Sequence, residues 1–240
     1  MTAANIKVRA MRALLLTPAD YQQLSRLESR ERLFAQLGFS GLDKLTAVAD
    51  GELKRILHFM EDVRWRRYLP ELCRNTDFND YLNDYLRIWP IIKNLPSRQN
   101  RDAFFRIKGT EIDLQNIMLA YKIKKYYPNA QIYTYLIPLY YRLDKAALSR
   151  LAESAGPADL IAKLQYTPYA HVFNNFEKPE HAFVNIMRKV FAQTAKRYPN
   201  SAAYIARYFF DKRTEIRNII SLAEGLRYRL PPDEILTFIL

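Results

Sequence analysis

The stretch "GTEIDLQNIMLAYKIKKYY", Gly109 to Tyr127, decides the fold. Its residues Leu114, Ile117, Met118 and Tyr121 fall at i, i+3, i+4 and i+7, the spacing that lines one face of an α-helix. Thr110 followed by Asp113 resembles a capping box with Asp in place of the usual Glu, which predicts a helix start at that point. The carboxyl-terminal stretch "RTEIRNIISLAEGLRYRL", Arg213 to Leu230, repeats the pattern at an offset of 102 residues. Ile216, Ile219, Ile220 and Ala223 take the four apolar places, and Glu215 stands for Asp113, Asn218 for Asn116, Arg227 for Lys125 and Tyr228 for Tyr126.

The likeness extends outward from both helices. After one inserted residue "QIYTYLI" corresponds to "EILTFIL", and upstream "AFFRIKGTEI" matches "RYFFDKRTEI". Earlier still, "LSRLES" from Leu24 to Ser29 faces "LSRLAES" from Leu148 to Ser154, and "LFAQLGFS" faces "LIAKLQYT". A chance likeness between amphipathic helices would reproduce the apolar period alone, whereas here polar positions and loops agree as well. Self-similarity of this kind marks a repeat architecture. The first copy runs from about "LLLTPADY" to Ile123 and the second from about "LIPLYY" to the end, with a fainter echo at Asn5 and Ile6. The expected organisation is an amino-terminal helix with a first lobe over residues 1–131 and a second lobe over residues 132–240.

Composition agrees with an all-α fold of roughly nine to eleven helices. Only six glycines serve 240 residues, and the twelve prolines fall mostly between periodic segments, as in "TPADY", "YYPN" and "LPPD". Alternation of the kind that makes strands is short-lived wherever it occurs. With 49% hydrophobic and 26% charged residues the chain buries a real core, which excludes disorder. The single cysteine, Cys73, cannot form an internal disulfide and points to a reducing compartment, with the cytoplasm as the default. No apolar run approaches the roughly 18–20 residues that span a bilayer, and "ALLL" is too short for a signal-peptide core, so no membrane insertion is expected.

Catalytic chemistry finds little footing. There is no Walker A loop and no G-x-S-x-G elbow. His58, His171 and His181 lack the helical spacing that aims two imidazoles at one metal, and each reads as structural. Asp77, Asp80 and Asp84 lack the EF-hand glycine and terminal glutamate, and read as acids complementing a helix dipole with Thr76 as cap. Glu61 and Asp62 read as a solvated face, and Cys73 as a lone semi-buried thiol. No catalytic residue, cofactor or metal is expected.

The net charge of +12 favours acidic partners. Basic runs interleaved with aromatics occur in "RWRRY", "YKIKKYY", "MRKV" and "LRYRL". Such runs suit phosphates and stacked bases, but tyrosines beside lysines on a helix also bury their rings while the cations stay wet. The candidate contact residues are Arg64, Arg66 and Arg67, then Lys122, Lys124 and Lys125, and Arg227 with Arg229.

Three stretches together, "VRAMRALLLTPADYQQL", "KGTEIDLQNIMLAYKIKKYYP" with "YLIPLYYRL", and "TEIRNIISLAEGLRYRLPPDEI", resemble the rotor subunit of V-type and archaeal-type ATPases, called C in prokaryotes and d in eukaryotes. The resemblance implies an all-helical, funnel-like arrangement of repeated lobes without a catalytic site. It also implies partners: the central shaft subunits and the membrane proteolipid ring, with the chain peripheral on the cytoplasmic side and coupling the two for proton or sodium ion transport. Typical members have three lobes where this chain offers two and an echo. A basic helical nucleic-acid-binding protein is the alternative reading, and no nucleic acid is expected under the first.

Overall fold

The computed structural model describes residues 3–60, 63–73, 81–170 and 178–240. In chain order they form α1 (Ala3–Arg12), α2 (Pro18–Leu24), α3 (Arg30–Leu37), α4 (Leu42–His58), α5 (Val63–Leu72), α6 (Tyr81–Lys93), α7 (Arg98–Tyr126), a 3-10 turn (Ile132–Thr134), α8 (Lys145–Ala152), α9 (Pro157–Leu164), α10 (Pro179–Arg197), α11 (Ala203–Arg227) and α12 (Pro232–Leu236). Eleven of these helices run seven residues or longer. The described residues contain no strand, and the fold is all-α. None of the described helices is long and apolar enough to cross a membrane.

Two compact units emerge, and each takes pieces from both sequence repeats. One comprises residues 1–75 with 204–240, the other residues 76–203. This partition differs from the repeat boundary at 131/132, and the reason lies in how each long helix finds its partners. α7, from the first repeat, packs with α8, α9 and α10 of the second. α11, from the second repeat, shares a core with α2, α3 and α4 of the first, through Tyr21, Leu24, Leu33, Leu45, Ile219 and Leu222.

Both units use the same joints. In the 76–203 unit the Asn116 side chain meets the backbone of Ile137 at two points: its amide donates to the carbonyl at 3.0 Å and its oxygen accepts the N–H at 2.8 Å. In the other unit Asn218 holds Leu240 the same way, at 3.1 and 2.8 Å. A carboxylate forms the second joint. Asp113 accepts the Arg142 and Leu143 N–H groups at 2.8 and 3.1 Å, immediately before Asp144 caps α8. Glu215 accepts the Leu16 N–H at 2.6 Å, immediately before Thr17 caps α2.

Aligned on these caps, α2 matches α8 and α3 matches α9, with the next caps, Ser29 and Gly156, at the same spacing. Tyr21 and Leu24 then pair with Leu148 and Leu151, all buried. The literal "LSRL" identity is therefore one helical turn out of structural register, since it would set Leu24 against Leu148. Leu33 and Leu160, within the other matched pair of strings, are both fully buried.

Three expectations need correction. Thr110 caps no helix: α7 begins at Arg98, and the Thr110 hydroxyl donates back to the Arg106 carbonyl at 2.8 Å. The residue before it is glycine because Tyr141 lies against it, and a Cβ on Gly109 would stand 2.9 Å from the Tyr141 Cβ and closer still to its ring. Burial of α7 also exceeds one stripe. Leu119 and Ala120 are buried along with Leu114 and Ile117, because helices surround α7 on several sides. Ile220, by contrast, is 37% exposed.

Two stability predictions arise from these joints. Asn116→Leu should lower unfolding free energy by about 1–3 kcal/mol for each backbone group of Ile137 it orphans. Asn218→Leu should cost less, because Leu240 is partly exposed while Ile137 is fully buried. Urea denaturation of the two variants checks the order, and equal losses would refute it. Gly109→Ala should destabilise by about 1–3 kcal/mol through overpacking against Tyr141, although alanine is the better helix former by about 1 kcal/mol. A raised midpoint in the same assay would refute that close approach.

Candidate partner interface

The cations proposed from sequence divide into engaged and exposed groups. Arg66, in α5, is a brace: its Nε donates to the Met60 carbonyl at 2.7 Å and a terminal nitrogen donates to the His58 carbonyl at 3.1 Å. It thereby covers the open carbonyls at the end of α4, where a positive charge also suits the helix dipole. Arg67 is exposed on the same helix. The side chain of Arg64 lies outside the described residues.

On α7 the three lysines have three different surroundings. Lys122 forms an ion pair with Glu180 of α10 at 2.6 Å. Burial works to raise the Glu180 pKa, but the hydrogen bond from Lys122 and its companions outweigh it, and the carboxyl is held below its ordinary range. Lys125 is exposed, 5.8 Å from the ring centre of Tyr121 and 5.2 Å from that of Tyr126. Its pKa is raised, first by a hydrogen bond to Tyr126. Lys124, half-buried, contributes to lowering Asp159, whose carboxylate is held mainly by the Ala155 N–H at 2.8 Å and Lys163 at 3.0 Å.

At the end of α11, Arg227 pairs with Glu224 at 3.3 Å, one turn back, and lies 5.5 Å from the Tyr228 ring centre. Arg229 is exposed and takes φ +55°, closing the helix in the left-handed region. The Leu230 N–H bonds the Gly225 carbonyl at 3.0 Å and the Arg229 N–H bonds that of Leu226 at 3.1 Å, as in a Schellman ending.

Sequence spacing could not find Glu180, which reaches Lys122 only because α10 packs on α7. It also missed the exposed tyrosines Tyr133 and Tyr135 beyond α7, which belong to no basic run. Their signal was compositional: between Asp113 and Asp144 the chain has seven tyrosines and four cations but no acid.

The other titratable residues singled out are only partly described. Asp84 pairs with Arg87 at 3.2 Å, while Glu61, Asp62, Asp77, Asp80 and His171 lie outside the described residues. Cys73 is buried. No group of metal-ligating side chains gathers among the described residues. Asp113 and Tyr169 do meet in the interior, the tyrosine hydroxyl donating to the carboxylate at 2.8 Å. Burial pushes both groups above their ordinary pKa values, and the nearby Asp113 charge pushes Tyr169 further. The same Asp113 oxygen receives the two backbone N–H bonds, so this pair supports the α8 joint.

Two compact helical units, each tied by internal clamps, define an all-α protein with exposed cations and tyrosines. The family model described as ATP synthase (C/AC39) subunit matches residues 43–238, and the chain belongs to that family. The family is one of accessory, non-catalytic subunits. A relative from Methanobrevibacter smithii, the C subunit of an A-type ATP synthase, is 27% identical over 161 residues, covering 61% of this chain and 40% of the relative. The chain thus spans well under two thirds of that relative's length.

Asp113 gives a pH prediction. Its folded pKa is raised, so the folded chain binds more protons than the unfolded chain above the ordinary aspartate range of about 3.9. Its contribution to stability is therefore fully present below that range and lost as pH rises through the folded pKa. In urea denaturation across a pH series, the stability of the wild-type chain relative to Asp113→Asn should fall as pH rises through that window. An unchanged slope in the variant would refute the assignment.

Proposed function

We propose that the chain is a non-enzymatic adaptor of an A/V-type rotary ATPase, joining the central shaft to the membrane proteolipid ring from the cytoplasmic side. The observation that carries this reading is the family match over residues 43–238. The relative, as the C subunit of an A-type ATP synthase, supports placing the chain in a rotary complex that moves protons or sodium ions. The amino-terminal helix with a first lobe over residues 1–131 and the second lobe over residues 132–240 are on this reading built from two copies of one helical unit.

The geometry supplies supporting physical grounds. An adaptor in a rotating train must transmit torque without internal slippage, and each long helix is locked to distant backbone by paired asparagine bonds and a buried carboxylate. Arg67, Lys124, Lys125 and Arg229 remain the candidate cations for setting register with acidic partners, since complementary charge fixes orientation and speeds encounter. Arg66 and Lys122 have structural duties that a nucleic-acid groove would not require of them.

Affinity purification of tagged chain from its native host tests the assignment. Shaft subunits and the proteolipid should co-purify, and the isolated chain should hydrolyse no ATP. Retention of neither partner, together with strongly salt-dependent retention of DNA by the same cations, would replace this reading with the nucleic-acid one.

A further inference from the structure

The two repeats provide an internal control, because a feature that only one copy carries is not demanded by the fold. The clamps occur in both: Asn116 and Asn218 hold Ile137 and Leu240, and just before these residues the buried Ile132 and Ile235 occupy matching places. The surface between the clamps matches only in part: Lys125 and Tyr126 have counterparts in Arg227 and Tyr228, whereas the remaining positions differ. Lys124 corresponds to the buried Leu226, Tyr127 to Arg229, Tyr133 to Leu236 and Tyr135 to Phe238. The stretch from Ile216 to Leu240 has one tyrosine and the acids Glu224, Asp233 and Glu234, against seven tyrosines and no acid between Asp113 and Asp144. Leucine and phenylalanine occupy the sister positions, so this fold does not demand tyrosine at 133 and 135, and the one hydroxyl contact seen there, Tyr133 to Glu153, lies at the surface.

These residues all lie within the 76–203 unit. Tyr126, Tyr127, Tyr133 and Tyr135 are 61%, 68%, 54% and 50% exposed. Lys125 lies against the Tyr126 ring. The turn between α8 and α9 joins the two ends of the patch: Glu153 accepts the Tyr133 hydroxyl at 3.0 Å, and Asp159, a few residues on, senses Lys124. Exposed tyrosines offer large, stiff, amphipathic contact area and are enriched at protein interfaces.

We infer that Tyr126, Tyr127, Tyr133 and Tyr135, with Lys124 and Lys125, form a docking surface for an acidic protein face. Charge complementarity selects this occupant. The two lysines at the end of α7 favour carboxylates, and Glu153, Asp159 and Glu180 are already engaged by Tyr133, Lys163 and Lys122, so the lysines suit separate carboxylates set on a folded protein face better than the unbroken charge of a phosphate chain. The Tyr126 ring, already approached by Lys125, is also poorly placed to stack on a base. The inference rests on the rotary reading only for where the partner is found.

The test compares wild-type chain with two variants in binding the purified rotary complex of the host at about 150 mM salt, where long-range charge effects are screened beyond about 8 Å. One variant carries Tyr133→Leu and Tyr135→Phe, the residues the sister repeat already tolerates; the other carries Lys124→Glu and Lys125→Glu. Both should keep the wild-type melting temperature, and each should weaken binding, the lysine reversal by about tenfold or more. A photo-crosslinker at Tyr135 should label an acid-rich segment of one rotary component, while the same group at Phe238 should not label that segment. Variants that bind like wild type would sink the docking surface and leave the rotary reading standing. Wild-type chain that binds no rotary component would sink both, and retention of an oligo-dT strand or phosphatidylserine vesicles through these residues would replace the acidic protein with a nucleic acid or a membrane.

Discussion

A side-chain amide that both donates to and accepts from a single backbone residue fixes where the chain comes back to its long helix. Asn116 does this for Ile137, and Asn218 for Leu240, which lies almost the same distance onward. A backbone group buried without a partner costs free energy comparable to a lost hydrogen bond, so a segment returning to the core outside regular structure needs a donor and an acceptor at one point. Asparagine carries both in a fixed plane. Once this return is set, the carboxylate one turn earlier on the same helix face can receive the amide that precedes the next helix cap.

The same joints explain why the repeats visible in the sequence are not the compact units of the fold. Within residues 76–203 the order runs continuously from α7 through the 3-10 turn to α8, α9 and α10. In the other unit the equivalent order is split: α11 and α12 come late in the sequence and α2, α3 and α4 come early. Glu215 accepts the Leu16 N–H, and Arg12 pairs with Asp211 at 3.1 Å, so contacts between distant residues close that unit. Its long helix cannot bury Ile219 and Leu222 without Leu24, Leu33 and Leu45 in place. Closing so long a loop has an entropic cost that grows only slowly with its length, which leaves such a division tolerable.

Much of the scaffold was legible because helical periodicity and self-similarity are local signals. The offset of 102 paired Asn116 with Asn218 and Asp113 with Glu215, and the structure gives each pair the same backbone role. Errors arose where one residue had two possible meanings. Gly109 with Thr110 and Asp113 looked like a helix start, but the glycine admits Tyr141 and the aspartate faces another segment. The "LSRL" strings share letters while their buried faces correspond one turn apart. At the surface, spacing along a helix could not tell an engaged cation from an available one. Lys122 meets Glu180 through helix packing, and Arg66 turns back to the carbonyls of His58 and Met60.

The paired sequences "IKGTEI" and "DKRTEI" carry ion pairs of the long helices, the buried Lys108–Glu111 at 2.8 Å and the partly buried Lys212–Glu215 at 2.5 Å. Removing two charges from water is costly, and such pairs are weak contributors to stability compared with apolar packing. Their geometry points to aim instead. One oxygen of Glu215 takes Lys212 and the other takes the Leu16 N–H, so the lysine holds the carboxylate in the orientation the joint needs. In α7 the same duties fall to two acids: Glu111 takes Lys108, and Asp113, two residues further, takes the backbone of Arg142 and Leu143. That two-residue displacement accounts for why "KGTEI" and "KRTEI" align at one offset while the asparagines align at another. Free of the lysine, Asp113 instead receives the Tyr169 hydroxyl, and burial raises its pKa by more than the neutral hydrogen-bond donors around it lower it.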